Sequence, residues 1–277
     1  MNLLMVEMRR AMRRRVVRVM ILLALVGCAF AGVIAFVGSH GKTLAELHAN
    51  GELHPAVLTD WWVAAKSDGA VFLSAFFLLL GGLFAGAAVV GAEWRAGTVT
   101  TALTWEPRRI RLNLARTSAC GILAFVIAFA LQVVFLASFL PAVLANGSTV
   151  GADPNWWTSL VWAMARSAAL TSMAAMLAAA LATLGRNTAF ALAAGLAWFA
   201  VIENLIRGLR PAWAPYLWGE NIGTVLPWRQ MEGVDSTRGP VLALGTLVLY
   251  TAIAIAIAIA IAGATLAFRT RDVSGIS

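Results

Sequence analysis

Few of the side chains that usually do chemistry lie where they could act together. The three histidines, His40, His48 and His54, share one polar stretch at irregular spacing, which predicts solvated side chains and not a metal site. The two cysteines, Cys28 and Cys120, fall inside apolar runs, where a thiol packs as a small hydrophobic group. No histidine and no pair of carboxylates lies within an apolar run, so the sequence predicts no catalytic residue and no metal ligand.

Four polar side chains in long apolar runs, or at their ends, are candidates for a transport pathway or gate. Gln132 lies deep in its run and either lines a pathway or hydrogen-bonds between helices. Arg166 lies inside another run and is expected to face protein or water. Glu203 and Arg207 are four residues apart, so they share a helix face and either form an ion pair or belong to an external gate.

The densest set of charged and turn-forming residues joins two apolar runs. It begins at Glu93, where Gly97 permits a turn and Thr98 is a favourable N-cap for a short helix to about Leu103. Pro107 cannot continue that helix but can begin the next one. The pattern predicts a short helix on the membrane surface, through which a soluble partner could push on two spans at once.

The sequence around these residues is far too apolar for a soluble domain. Of the 277 residues, 61% are hydrophobic and 12% are charged, and the mean hydropathy is +0.82. Soluble domains average about 45–50% apolar and about 25% charged residues. Lipid must therefore be the solvent. The net charge of +8 would suggest nucleic acid in a soluble protein, but the arginines lie between apolar runs, as membrane orientation requires, so no nucleic-acid partner is predicted.

Six apolar runs are long enough to cross the membrane, which takes about 20 helical residues. Their predicted bounds are 20–37, 70–91, 117–140, 158–184, 188–206 and 241–268. The last run alternates Ala and Ile over 252–262, but both residues are apolar, so the run predicts a helix and not a strand. The fold class is an all-α integral membrane protein with six transmembrane helices in a single domain, 1–277.

The distribution of Lys and Arg predicts the orientation. Fourteen of the 21 basic residues fall on the face that carries both termini, and the richest clusters lie close to the span ends. The positive-inside rule therefore places both termini in the cytoplasm, with 92–116 as a cytoplasmic loop. The predicted location is the cell membrane, plasma or inner, as a multi-pass protein.

Three further segments have their own pattern. Residues 1–19 alternate an apolar stripe with arginines at helical spacing, which predicts an amphipathic helix in the headgroup layer. Trp61 and Trp62 end the first outer loop and are predicted to anchor it at the interface. The segment 207–239 is rich in Trp and Pro, and it forms either short re-entrant helices or a loop on the outer surface.

Small residues recur every four positions on two of the predicted spans. Gly82 and Gly86 form such a pair on the second span. Ala174, Ala178 and Ala182 form a similar stripe on the fourth. This spacing favours close helix packing, either within one chain or at the seam of a dimer.

Several of these features together resemble the permeases of type-2 ABC exporters. The residues that carry the resemblance are Glu93, Arg95, Gly97, Thr98, Pro107 and Arg109 in the loop between the second and third spans. The resemblance extends over most of the chain. It includes the basic amino-terminal helix, the six spans, the aromatic segment 207–239 and the basic tail 269–273. Family members often have Ser-Arg after the proline, and here Arg108-Arg109 stands in that place.

The resemblance implies a permease that works as a homodimer or heterodimer and docks an ATP-binding subunit through a short coupling helix at the loop. The chain has no G-x-x-x-x-G-K-[ST] phosphate loop, so ATP and Mg would be bound by that partner, and this chain is predicted to hold no cofactor and to be no enzyme by itself. The few charged groups in the spans favour a lipophilic or amphipathic cargo: a drug, an antibiotic, a peptide or a lipid. Two other classes are a lipid-modifying membrane enzyme and an ion-coupled transporter.

Overall fold

The computed structural model describes residues 3–47, 53–63, 68–95, 109–230 and 239–271, and of residues 95, 109 and 261–271 it describes the backbone alone. In these ranges the chain is helical and contains no β-strand. The helices are α1 Leu3–Arg13, α2 Arg15–Ser39, α3 Leu44–Leu47, α4 Ala70–Arg95, α5 Arg109–Ala137, α6 Leu140–Asn146, α7 Pro154–Gly185, α8 Thr188–Ala197, α9 Glu203–Leu209, α10 Trp218–Val225 and α11 Pro240–Arg271. A π-helical turn, Trp198–Ile202, joins α8 to α9.

Six helical stretches in the described part of the chain are long and apolar enough to cross a membrane. They are Arg15–Ser39, Ala70–Trp94, Ile110–Asn146, Pro154–Gly185, Thr188–Leu209 and Pro240–Ala260. The all-α fold with six membrane-length helices is therefore confirmed, and the chain is a multi-pass membrane protein. The Ala/Ile repeat belongs to α11 and is helical, as predicted.

The amino-terminal region divides earlier than the predicted boundary at residue 19. Arg14 has extended backbone angles, φ −65° and ψ 131°, and separates α1 from α2. Residues 15–19 therefore belong to the long helix α2. The stripe of apolar residues continues through this point without interruption, which is why its periodicity does not reveal a break of one residue.

The centre of the bundle is the packing of α4 against α7. Gly82 and Gly86 face Thr171 and Ala175, and a Cβ at Gly82 would lie 2.7 Å from the Thr171 carbonyl oxygen. The stripe of Ala174, Ala178 and Ala182 on α7 is buried in the same core. The small residues thus bring two helices of one chain together, which decides between the two interpretations of their spacing.

Trp61 and Trp62 do not form the interfacial anchor that the sequence predicts, because both are 3% exposed. The Trp62 indole N–H donates to Ser159 Oγ at 2.7 Å, and its ring stacks on Phe72 with 4.9 Å between centroids. The Trp61 N–H donates to the Pro55 carbonyl oxygen. Since protein satisfies both N–H groups, the rings can pack inside.

Candidate functional site

Four charged side chains meet at the end of the bundle where α4 finishes and α5 begins. Glu7 comes from α1, Arg14 from the break between α1 and α2, Glu93 from α4 and Arg116 from α5. Three of them are almost fully buried: Glu7 is 6% exposed, Glu93 4% and Arg116 8%. We call these four residues the inner charge cluster.

In the inner charge cluster each acidic side chain lies next to basic ones in space. Arg14 Nη2 contacts Glu93 Oε1, and Arg116 Nη2 lies 2.9 Å from Glu93 Oε2. Arg116 Nε lies 3.9 Å from Glu7 Oε2, and Glu7 Oε1 accepts a hydrogen bond from Arg10 Nη1 at 3.0 Å. Each carboxylate is therefore held by guanidinium groups from more than one position in the chain.

Such an arrangement holds helices in place because a buried charge without its partner is costly. Removing one member of a buried pair destabilises a protein by about 3–5 kcal/mol. Glu93 joins α4 to α5 and to the junction of α1 with α2, while Glu7 brings α1 to the same arginine of α5. The ends of α4 and α5 that carry the segment 96–108 are thus tied to the amino-terminal helix.

Only part of the predicted coupling site lies in the described residues. Gly97, Thr98 and Pro107 lie outside them, and Arg95 and Arg109 are the last residue of α4 and the first of α5. Glu93 has its side chain described, and its partners there are Arg14 and Arg116. A short helix in the segment stays a prediction.

Sequence reasoning missed three members of the inner cluster: Glu7, Arg14 and Arg116 in its role as a buried partner. A signal for Glu7 was present, since it is the single acidic residue among the six arginines of the first twenty positions. An acid in that setting contributes nothing to a basic topology signal and weakens attraction to anionic lipid, so it requires another explanation.

Glu203 at the other end of the bundle does not form the predicted pair with Arg207. It is 2% exposed, and its carboxylate accepts hydrogen bonds from the backbone N–H groups of Trp218, at 2.7 Å, and Gly219, at 2.9 Å. The Trp198 indole N–H donates to the same carboxylate at 2.9 Å. Glu203 therefore binds the amino-terminal end of α10, where unpaired N–H groups and the helix dipole attract an anion.

Arg207 is paired with a different acid from the predicted one. Its Nε lies 2.6 Å from Glu220 Oε1, and its Nη1 donates to Asn204 Oδ1 at 3.2 Å. The i,i+4 pair, one of the two interpretations of these residues, is wrong because burial turns Glu203 toward α10, while Arg207 stays half exposed.

The segment after Arg207 folds as short helices packed on the bundle. Pro211–Tyr216 is a 3₁₀ helix and α10 follows at once. Trp218 and Val225 are buried in the same core as Leu247 of α11. Whether these short helices are re-entrant or lie on the membrane surface depends on their depth, which stays a prediction.

Arg166 faces protein, as predicted. Its Nε donates to the Leu226 carbonyl oxygen at 3.0 Å. Its guanidinium lies over the rings of Trp62 and Trp228, 5.8 and 5.5 Å from their centroids. These contacts fix the end of α10 against α7 and satisfy the charge inside the protein.

Gln132 links three helices in the middle of the bundle. It is fully buried, and its Nε2 donates to Ser74 Oγ on α4 at 2.9 Å and to Ser167 Oγ on α7 at 3.3 Å. This is the interhelical hydrogen bonding that the sequence allows for this residue. Gln132 also lines a cavity between α2, α4 and α5, so the two interpretations do not exclude each other.

The described residues contain no group of three or more His, Cys, Asp or Glu that could hold a metal ion. Comparison of the sequence with protein-family models and with curated proteins finds no match. What the structure brings together in the described ranges is a set of charges that positions helices.

Proposed function

We propose that this chain is the membrane subunit of an ATP-driven exporter of the type-2 ABC class. The single observation that carries the proposal is the place of Glu93. It belongs to the motif that resembles the family's coupling loop, and it is buried between Arg116 of α5 and Arg14 at the junction of α1 with α2. An ordinary surface loop does not require buried ion pairs at the end of the helix that precedes it.

The inner charge cluster suits the transmission of force from a soluble subunit. A partner that moved the segment 96–108 would displace the ends of α4 and α5 on either side of it. Because Glu93 and Arg116 are ion-paired, those ends would move as one body. α7 packs along α4 over much of its length, so the displacement would reach the core of the bundle.

The other parts of the proposal follow from the same assignment. ATP and Mg are bound by a separate ATP-binding subunit, a second permease chain completes the transporter, and the cargo is lipophilic or amphipathic. α1 lies in the inner headgroup layer of the plasma or inner membrane, with both termini cytoplasmic. The exposure of Met5 and Met12 together with Arg9 and Arg13 supports that position for α1.

The partner is tested by purifying the tagged chain from its native membranes in a mild detergent. We expect a stoichiometric protein with a G-x-x-x-x-G-K-[ST] phosphate loop to copurify and to hydrolyse ATP. The chain alone should hydrolyse none. Hydrolysis by the chain alone, or the absence of any such partner after crosslinking in the membrane, would contradict the proposal.

The role of the linking segment is tested with Gly97→Val. The matched control is Gly81→Val on α4, where an added Cβ meets no atom within 4 Å. Both variants should reach the membrane at wild-type levels, because insertion depends on the apolar spans. We expect Gly97→Val alone to lose the ATP-binding partner or to uncouple its hydrolysis. Equal copurification and equal hydrolysis in the two variants would show that the segment 96–108 has no role in coupling.

The orientation is tested with single cysteines at Thr149 and Ala189, exposed residues on either side of the 32-residue helix α7. An impermeant thiol reagent should label Thr149→Cys in intact cells and Ala189→Cys only after permeabilisation. The reverse result would place the inner charge cluster outside the cell, where no ATP-binding subunit could reach it.

A further inference from the structure

An elongated cavity separates α2 from α4 and α5. Its volume is about 650 Å³, which lies within the range of about 300–1,000 Å³ that is typical of small-molecule sites. Along α2 it is lined from Ala24 to Gly38, a distance of about 21 Å at about 1.5 Å per residue. The cavity is half open at the surface of the bundle, which gives a ligand a way in.

The cavity exists because α2 turns its small residues inward. Gly27 and Gly38 line it, and a Cβ at either position would meet no atom within 4 Å. At Gly32, by contrast, a Cβ would lie 2.9 Å from the Cβ of Ser138, so α2 touches the turn between α5 and α6 there. The large side chains of α2, such as Leu23 and Phe30, point outward and are more than 60% exposed.

Most side chains that line the cavity are apolar. Polar side chains line its deep part, and basic side chains line one end. Gln132 and Ser74 line the deep part, and Gln132 Oε1 accepts no hydrogen bond from the described residues although the side chain is fully buried. Lys42 and His54 line the end beyond α2. The positive charge of Lys42 favours an acidic group at that end of the cavity.

Two carboxylates lie close to residues at the basic end of the cavity. Glu46 accepts hydrogen bonds from the backbone N–H and the hydroxyl of Thr43, and these bonds, with a smaller contribution from Lys42, hold the pKa of its carboxyl below the ordinary value. Asp60 accepts a hydrogen bond from the His54 backbone N–H. Neither acid lines the cavity.

We infer that this cavity binds a single-chain anionic amphiphile, with its acidic headgroup at Lys42 and its apolar chain between α2, α4 and α5. An apolar space about 21 Å long with a lysine at one end fits one extended alkyl chain that carries an acidic head. This binding goes beyond the exporter proposal, since it concerns one chain alone and needs no ATP.

The test uses the purified full chain in nanodiscs of zwitterionic phosphatidylcholine, without any ATP-binding protein. The probe is a long-chain alkyl carboxylate that carries a photoactivatable diazirine, and its trimethylammonium analogue has the same chain with a cationic head. We expect crosslinks from the carboxylate to map to 24–38, 73–78 and 131–139. Labelling by the cationic analogue should be weaker by about fivefold or more, which corresponds to a charge contact near the protein surface.

Two variants separate the cavity from the lipid-facing surface. Gly27→Leu fills the cavity and should lower labelling about tenfold or more, while the matched control Gly81→Leu, an open glycine outside the cavity, should label as the wild type does. Lys42→Glu lies outside the membrane helices, so it leaves the bundle intact and should lower labelling by the carboxylate while raising that by the cation.

Three results would overturn the inference. Labelling spread evenly over all lipid-facing helices, or unchanged in Gly27→Leu, would show that the cavity does not hold the probe. Equal labelling by the two heads in the wild type, or no change in Lys42→Glu, would remove the role of the charge. Displacement of the carboxylate by anionic diacyl phospholipid in the disc would assign the cavity to membrane lipid instead.

Discussion

Two glutamates at opposite ends of the bundle are buried to nearly the same degree and are satisfied in opposite ways. Glu93 is 4% exposed and its partners are the guanidinium groups of Arg14 and Arg116. Glu203 is 2% exposed and its partners are two backbone N–H groups of α10 and one indole N–H. The first carboxylate needs opposite charge, and the second needs donors in the right directions.

The difference shows which structural elements each glutamate holds in place. Ion pairs between side chains of different helices fix the helices relative to one another, so the inner charge cluster resists separation of α1, α4 and α5. Backbone N–H groups belong to one short helix, so Glu203 fixes where α10 begins. Four substitutions test this comparison, in order of decreasing expected effect.

Glu93→Gln should have the largest effect. It removes a buried negative charge and leaves Arg116 with only the Glu7 carboxylate, 3.9 Å away. We expect a loss of about 3–5 kcal/mol in the free energy of unfolding, measured by denaturant titration in detergent micelles. The triple variant Arg14→Met, Glu93→Met and Arg116→Met should recover most of the loss, because apolar side chains replace both ion pairs of Glu93 while Glu7 keeps Arg10. Wild-type unfolding of Glu93→Gln would show that charge is not what holds this end.

Glu203→Gln should have a smaller and more local effect. An amide has one oxygen, so one of the two backbone donors, Trp218 N–H or Gly219 N–H, would face an NH₂ group. An unsatisfied buried donor costs about 1–3 kcal/mol. Hydrogen exchange should show faster exchange of these two amides and unchanged exchange in α5. Global loosening equal to that of Glu93→Gln would erase the distinction between the two ends.

Gln132→Leu tests a buried polar group that carries no charge, and its effect should lie between those of Glu203→Gln and Arg207→Ala. Removing its bonds to Ser74 and Ser167 should cost about 0.6 kcal/mol for each, or about 1.2 kcal/mol together, as for other hydrogen bonds between membrane helices. The control is Val133→Leu, the next residue, which is 46% exposed. Both are compared by thermal unfolding. A loss as large as that of Glu93→Gln would make hydrogen bonding, and not charge, the main support of the bundle.

Arg207→Ala should have the smallest effect. Its side chain is 47% exposed and that of its partner Glu220 is 29% exposed, so solvent screens the pair. Exposed pairs contribute about 0–1 kcal/mol, and high salt should leave no measurable difference from the wild type. The measurement is the unfolding midpoint at low and high salt. A salt-independent loss would mean that Arg207 acts through packing.

The sequence alone determines that this is a membrane protein, that its fold is helical and how many of its helices are long enough to cross a membrane. A run of about 20 apolar residues must become a helix in lipid whatever surrounds it, so these features follow from local composition. It also indicates that Gly82 and Gly86 permit close packing and that Gln132 seeks a partner on another helix. These predictions depend on the residue's own chemistry and not on its neighbours in space.

The tertiary structure decides which partner each residue meets. Arg14 and Glu93 are 79 residues apart in the chain, and no local pattern predicts their contact. Glu203 has an arginine four residues away, yet it binds the start of α10, 15 and 16 residues further on. Trp61 and Trp62 are buried by helices that their own segment does not contain. The rotation and spacing of packed helices decide such contacts, because every helix offers several faces and the lowest free energy is a property of the whole bundle.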